Sequence, residues 1–165
     1  MNIKDIALLK YENISGDEIH FIRSKTIHST IEKQRSIQIY LHDELKNIIT
    51  KWGNPDQKLS HFIFDILDPE DLSPMQISRD VSQAVKVINK YMKRIAECLG
   101  LERIPTCMFA RHTYSTVLKR ANVPIEMISE SLGHTSVKTT EIYLDSFEND
   151  RRADISKLLL PLQPV

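Results

Sequence analysis

Net charge is the first thing this sequence lacks. Its 165 residues hold 22 Lys and Arg against 22 Asp and Glu. Phosphate contacts usually leave a basic imbalance, so the balance argues mildly against a nucleic-acid binder. A local basic patch offset by acid elsewhere satisfies both observations. Cysteine is scarce: Cys98 and Cys107 are lone thiols in helical-looking segments, with no metal-ligand spacing around them. They point to plain packing in a reduced, cytoplasmic setting, and no metal is expected. No apolar run reaches membrane-spanning length, and Met1 to Lys10 lacks the form of a signal peptide, so no membrane is expected as a partner. Internal repeats and low-complexity segments are also missing. What is present is 41% hydrophobic and 27% charged residues. That composition and length suit one ordinary globular domain with a real core.

The hydrophobic spacing gives an element order. Ile3 to Lys10 reads as the end of a helix with Ile6 and Leu9 on its apolar face and nothing capping it upstream. Ser15-Gly16-Asp17 is a turn. Ile19, Phe21, Arg23 and Lys25 alternate with Glu18, His20, Ile22 and Ser24, and Arg35 to Leu41 alternates again, so a β-hairpin with a polar tip from Thr26 to Gln34 is expected. His42 to Trp52 reads as a short helix, Phe62-Ile63-Phe64 as a brief extended segment, and Pro74 to Leu99 as a long helix. The stripe of that long helix is Ile77, Val81, Val85, Ile88, Met92, Ile95 and Leu99. Pro105 suits the first position of the next helix, with Ala110, Tyr114, Val117, Leu118 and Ala121 as its buried stripe. A short helix after Pro124 turns Ile125, Ile128 and Leu132 inward and ends at Gly133. Thr135 or Ser136 caps the helix carrying Tyr143, and Asn149 to Leu160 forms a last amphipathic helix. The fold class is α+β, mostly α-helical, with a small antiparallel sheet at one edge.

Chemistry concentrates between Pro105 and Leu144. The segment contains A-R-H-T, then L-G-H-T-S-V-K-T-T-E-I-Y. An arginine, a histidine and a tyrosine in this order fit attack of a phenol on a phosphodiester, with cationic and donor groups holding the charge that builds on the phosphate. Each residue alone has a plainer reading. Tyr143 could be a packing residue, His134 a capping residue, Arg111 one half of an ion pair, and His112 structural. Arg111 sits on the inward-tending side of its helix, where an arginine must be paired or serve a ligand. Its fork of donors suits bidentate capture of a phosphate.

Together the motifs resemble the catalytic domain of the tyrosine recombinase, or phage integrase, family. The resemblance runs from Asn2 to the C-terminal helix and is most specific from Arg111 to Tyr143. It implies that Tyr143 is the nucleophile, that Arg111 and His134 hold the phosphate, and that Lys25 in R-S-K-T protonates the departing 5′ oxygen, with Lys33 as the rival lysine. It implies a 3′-phosphotyrosyl intermediate whose bond energy serves religation, so that neither metal nor ATP is needed. The implied partner is double-stranded DNA, held by a protein that is a monomer alone and a homotetramer on DNA. The family's N-terminal core-binding domain is expected to be absent from this chain, leaving 1–165 as a single catalytic domain.

Two positions depart from the family pattern. N-I-K-D-I aligns with a box that begins with arginine, so Asn2 stands where that arginine belongs and Asp5 matches the acid. Met108 stands where the second box has a histidine. Arg23 on the hairpin could supply the missing charge. Arg23, Lys33, Arg35, Lys86, Lys90 and Lys138 are candidate DNA contacts. Three other readings remain open. One is a recombinase-like domain that binds DNA without cleaving it. Another is a helix-turn-helix regulator built on Pro124 to Tyr143. The last is a type IB topoisomerase.

Overall fold

The computed structural model describes residues 1–27, 36–134 and 136–145, with the side chains of Tyr143 and Asp145 outside the description. The element order is α1 (Ile3–Ala7), a single 3-10 turn (Tyr11–Asn13), β1 (Ile14–Ser15), β2 (Glu18–Ile22), β3 (Ser36–Tyr40), α2 (Asp43–Trp52), α3 (Pro74–Cys98), α4 (Cys107–Arg120), α5 (Ile125–Ser131) and α6 (Val137–Asp145). The α+β class expected from the sequence is what is observed. Two compact units divide the chain, Met1–Thr113 and Tyr114–Val165. No described helix is long and apolar enough to cross a membrane.

The first unit is built on an antiparallel sheet of order β1-β2-β3, one strand more than the expected hairpin. The added strand is Ile14–Ser15, folded back onto β2 by Gly16 at φ 58°. Two residues carry too little alternation to signal a strand. Register follows the period of two: Ile19 faces Ile39 and Phe21 faces Ile37, while Glu18 and His20 pair with Tyr40 and Gln38 on the other side. Ile19, Phe21 and Ile37 pack with Leu9, Tyr11, Leu41 and Ile63 into the core. Ile63 is fully buried, and its N–H bonds to the Leu9 carbonyl at 2.8 Å. The expected extended segment at 62–64 therefore docks beside the chain leaving α1, through a Lys10–Phe62 bridge.

Four expectations change in this unit. Helix α1 is capped after all: the Asn2 side-chain oxygen accepts the Asp5 N–H at 2.7 Å. Strand β2 ends at Ile22, so Arg23 and Lys25 leave the alternation. A turn replaces it, closed by Thr26 N–H to the Arg23 carbonyl at 2.9 Å. Along α3 the stripe holds as far as Met92 and then passes to buried Ala96, leaving Ile95 and Leu99 exposed. The helix ends just beyond, in a turn at Gly100 that brings the Leu101 N–H back onto the Ala96 carbonyl at 2.9 Å. Helix α4 begins at Cys107 rather than Pro105, and the Asn89 side chain accepts the Cys107 N–H at 2.9 Å.

The stripe expected on α4 has the right period and the wrong phase. Ala110, Tyr114, Val117 and Ala121 are exposed and Leu118 is half-buried. The buried position is Ser115, one turn from half-buried Arg111. An arginine and a small hydroxyl take the inward row, and the apolar row lies beside it.

The second unit is an α5–α6 pair. Ile128 and Leu132 pack against Leu144, flanked by Leu118, Val123 and Ile125, and the inward turn of Ile125, Ile128 and Leu132 is the one the spacing anticipated. The helix expected over 149–160, the hairpin tip over 28–35 and the capping candidate Thr135 lie outside the described residues.

Candidate active site

In the first unit the site is organised by a carboxylate. Asp5 is buried at the third position of α1. Its Oδ1 accepts both the Ser24 N–H at 2.9 Å and the Ser24 hydroxyl at 2.8 Å. Its Oδ2 lies 3.7 Å from Arg23 Nε, with the Arg23 side chain only 13% exposed. A short helix thus grips the two residues immediately before Lys25, and Lys25 itself stands exposed in the turn. The acid of the degenerate box has a structural task that its sequence match did not reveal.

Positive charge gathers around this carboxylate. Burial first, and then the Arg111 guanidinium, hold the Met1 amino group below its ordinary value, with Asp5 opposing and Arg23 reinforcing the shift. Arg111 and Arg23 therefore share one electrostatic neighbourhood within the unit. Asn2 contributes a neutral cap there and no charge. Met108 is exposed on α4, one turn ahead of Arg111. Lys86 and Lys90 are exposed one turn apart on α3. Lys33 and Arg35 fall outside the described residues.

In the second unit the L-G-H triplet is a helix terminus. The Gly133 N–H bonds to the Glu130 carbonyl at 2.8 Å and the His134 N–H to the Ser129 carbonyl at 2.9 Å. These two bonds form a Schellman cap, with Gly133 at φ 63° in the left-handed position that favours glycine. Leu132 enters the core, Gly133 turns the chain, and His134 emerges half-buried with its backbone fixed. Its ring is fixed as well: Nδ1 lies 2.8 Å from the Thr140 hydroxyl, which is fully buried on α6. Thr140 was not singled out from the sequence, although it is the second threonine of the T-T pair before the tyrosine. Tyr143 follows it by three residues on α6, and Lys138 is exposed in the first turn of that helix. Among the described residues no group of His, Cys, Asp and Glu could hold a metal ion.

The profile of the phage integrase family matches residues 1–150. The chain belongs to that family. A tyrosine recombinase of Pseudothermotoga lettingae is 28% identical over 120 residues, which is 72% of this chain and 36% of the relative. One from Agathobacter rectalis is 31% identical over 119 residues, 71% of this chain and 35% of the relative. Two solved structures share the fold. XerA recombinase aligns with TM-score 0.60 at 20% identity, over 98% of this chain and 52% of XerA. XerH site-specific recombinase, bound to palindromic difH substrate in a post-cleavage complex, aligns with TM-score 0.56 at 18% identity, over 95% and 44%. The chain spans about a third of the length of these curated relatives and about half of the solved ones.

Proposed function

We propose that residues 1–165 form the catalytic domain of a tyrosine recombinase that cuts and rejoins double-stranded DNA at specific sites, in the cytoplasm, as a monomer alone and a homotetramer on DNA. The observation that carries this reading is the L-G-H terminus: His134 is fixed by a helix cap and by Thr140 on the helix that bears Tyr143. A helix-turn-helix regulator has no need to immobilise that ring or to place Arg111 and Lys25 in their boxes. In the proposed reaction the Tyr143 oxygen attacks the scissile phosphorus and forms a 3′-phosphotyrosyl bond, and the phosphorus–O5′ bond breaks. Arg111 and His134 donate to the non-bridging oxygens as charge builds on them. Lys25 protonates the departing 5′ oxygen. Attack by a 5′-hydroxyl reverses the sequence and frees the tyrosine. Basic residues on exposed surfaces, including Lys86, Lys90 and Lys138, would follow the DNA backbone.

A second reading, DNA binding without cleavage, is favoured by one observation. Asn2 is committed to capping α1 where the family has an arginine. One experiment separates the two. The full-length protein is incubated with a nicked suicide substrate and resolved on a denaturing gel. A covalent adduct that disappears in Tyr143→Phe, with DNA affinity retained, supports the recombinase. DNA binding with no adduct supports the binding domain. An adduct that survives Tyr143→Phe removes Tyr143 as the nucleophile.

A further inference from the structure

The contact between His134 and Thr140 decides more than a ring orientation. A neutral imidazole carries one hydrogen, on Nδ1 or on Nε2, and the partner of one nitrogen selects the state of the other. Here Nδ1 meets a hydroxyl at 2.8 Å. A hydroxyl can donate or accept, so its surroundings must set the direction. Thr140 is fully buried, and a buried hydroxyl hydrogen needs an acceptor. Within a helix the alternative is a carbonyl one turn back. The carbonyls within that reach belong to Ser136 and Val137, and the Ser136 oxygen is shared with the Thr139 N–H at 3.1 Å. The ring nitrogen is the better acceptor, and the His134 backbone cannot drift from it because its N–H is held by the Ser129 carbonyl.

We propose that Thr140 is a positioning residue: its hydroxyl donates to Nδ1 and holds His134 as the Nε2–H tautomer, a neutral hydrogen-bond donor to the scissile phosphate. The proposal rests on the recombinase reading for its catalytic half. The tautomer itself is a property of the free protein. With Nε2–H fixed in advance, the donor is ready when charge develops and no proton must relocate during the reaction. The other tautomer would present a lone pair to a phosphate oxygen, which is repulsive. Serine at 140 preserves the hydroxyl, whereas valine preserves the shape and removes it.

The test labels histidine with 15N in the full-length protein and reads the two ring nitrogens of His134 near neutral pH, with His134→Gln assigning the signals. The expected result is a bare Nδ1 and a protonated Nε2 in the parent and in Thr140→Ser. In Thr140→Val the two nitrogens average between tautomers. Single-turnover cleavage of the suicide substrate should fall roughly tenfold to a hundredfold in Thr140→Val, in line with lost orientation of a reacting donor. Thr140→Ser should stay within about threefold and DNA affinity should not move. A protonated Nδ1 in the parent overturns the proposal without any variant having to fold. A Thr140→Val protein that keeps the fixed tautomer also overturns it. If the parent shows the tautomer but forms no adduct, the recombinase reading and the catalytic half fail together, and the tautomer assignment stands.

Discussion

Asp5 holds Ser24 by both of its donors, the backbone N–H at 2.9 Å and the hydroxyl at 2.8 Å, through a single carboxylate oxygen. The two residues lie on different elements, the helix α1 and the turn after β2. Their contact fixes where the strand stops and therefore where Lys25 is presented.

Removal of that carboxylate should be costly. Asp5→Ala takes the acceptor from two half-buried Ser24 donors and removes the acid beside the Arg23 guanidinium, and it should lower stability by about 3 kcal/mol. Urea unfolding of the parent and the variant measures this. An unchanged midpoint would show that the contact contributes nothing to the fold.

Gly133 and Gly16 form a matched pair of probes. Both have positive φ, 63° and 58°. Alanine at either should cost about 1–2 kcal/mol in backbone strain. An added Cβ at Gly16 meets no atom within 4 Å, so no other effect is expected there. Gly133→Ala should in addition depress cleavage, because it disturbs the residue that launches His134. Equal losses of stability with cleavage reduced only at Gly133 is the expected pattern. Equal cleavage in both variants would detach the turn from the chemistry.

Arg111 should carry a large share of the phosphate contact, since Asn2 and Met108 supply no charge. Arg111→Ala should cost at least ~3 kcal/mol in single-turnover cleavage, the upper range for one donor to a developing oxyanion. The restored pair Asn2→Arg with Met108→His should not reduce cleavage. It should lower thermal stability by about 1 kcal/mol, because arginine cannot accept the Asp5 N–H that Asn2 now caps. A parent indifferent to Arg111→Ala would eliminate the proposed site.

Tyr11 should make stability sensitive to alkali. Its hydroxyl donates to the Asn54 carbonyl at 2.7 Å, and burial raises its pKa above the ordinary 10.0. The folded-state value exceeds the unfolded one. The contribution is therefore fully present below the unfolded pKa and is lost as pH rises through the folded pKa. Tyr11→Phe should unfold more easily at pH 7 and lose less stability than the parent between pH 9 and about 11. Identical alkaline slopes would rule out Tyr11 as the titrating group.

Elements with a clear hydrophobic period or a clear stop were legible from the chain alone: α2, most of α3, the α5–α6 pair and the existence of the β2–β3 hairpin, though not its register. What escaped was set by contacts distant in sequence or by very short pieces. On α4 the buried face carries Ser115 and half-buried Arg111, whereas hydrophobic spacing alone assigns that face to the apolar row. Strand β1 is two residues long. The end of β2 is decided by Asp5, 19 positions earlier than the serine it binds. For the candidate site, residue types and order pointed to Arg111, His134 and Tyr143. Thr140 and the grip of Asp5 on the turn required coordinates, because a hydroxyl six residues from a histidine has no sequence signature of its own.

The Schellman cap has a consequence for how such chains are found. Of the three letters in L-G-H, leucine fills a core and glycine permits a bend, and both would be retained by a descendant that no longer touched DNA chemically. Two thirds of the signature thus monitors foldedness. A survey that separates working enzymes from their silent cousins would do better to score the histidine jointly with the threonine six places downstream, whose buried hydroxyl meets its ring.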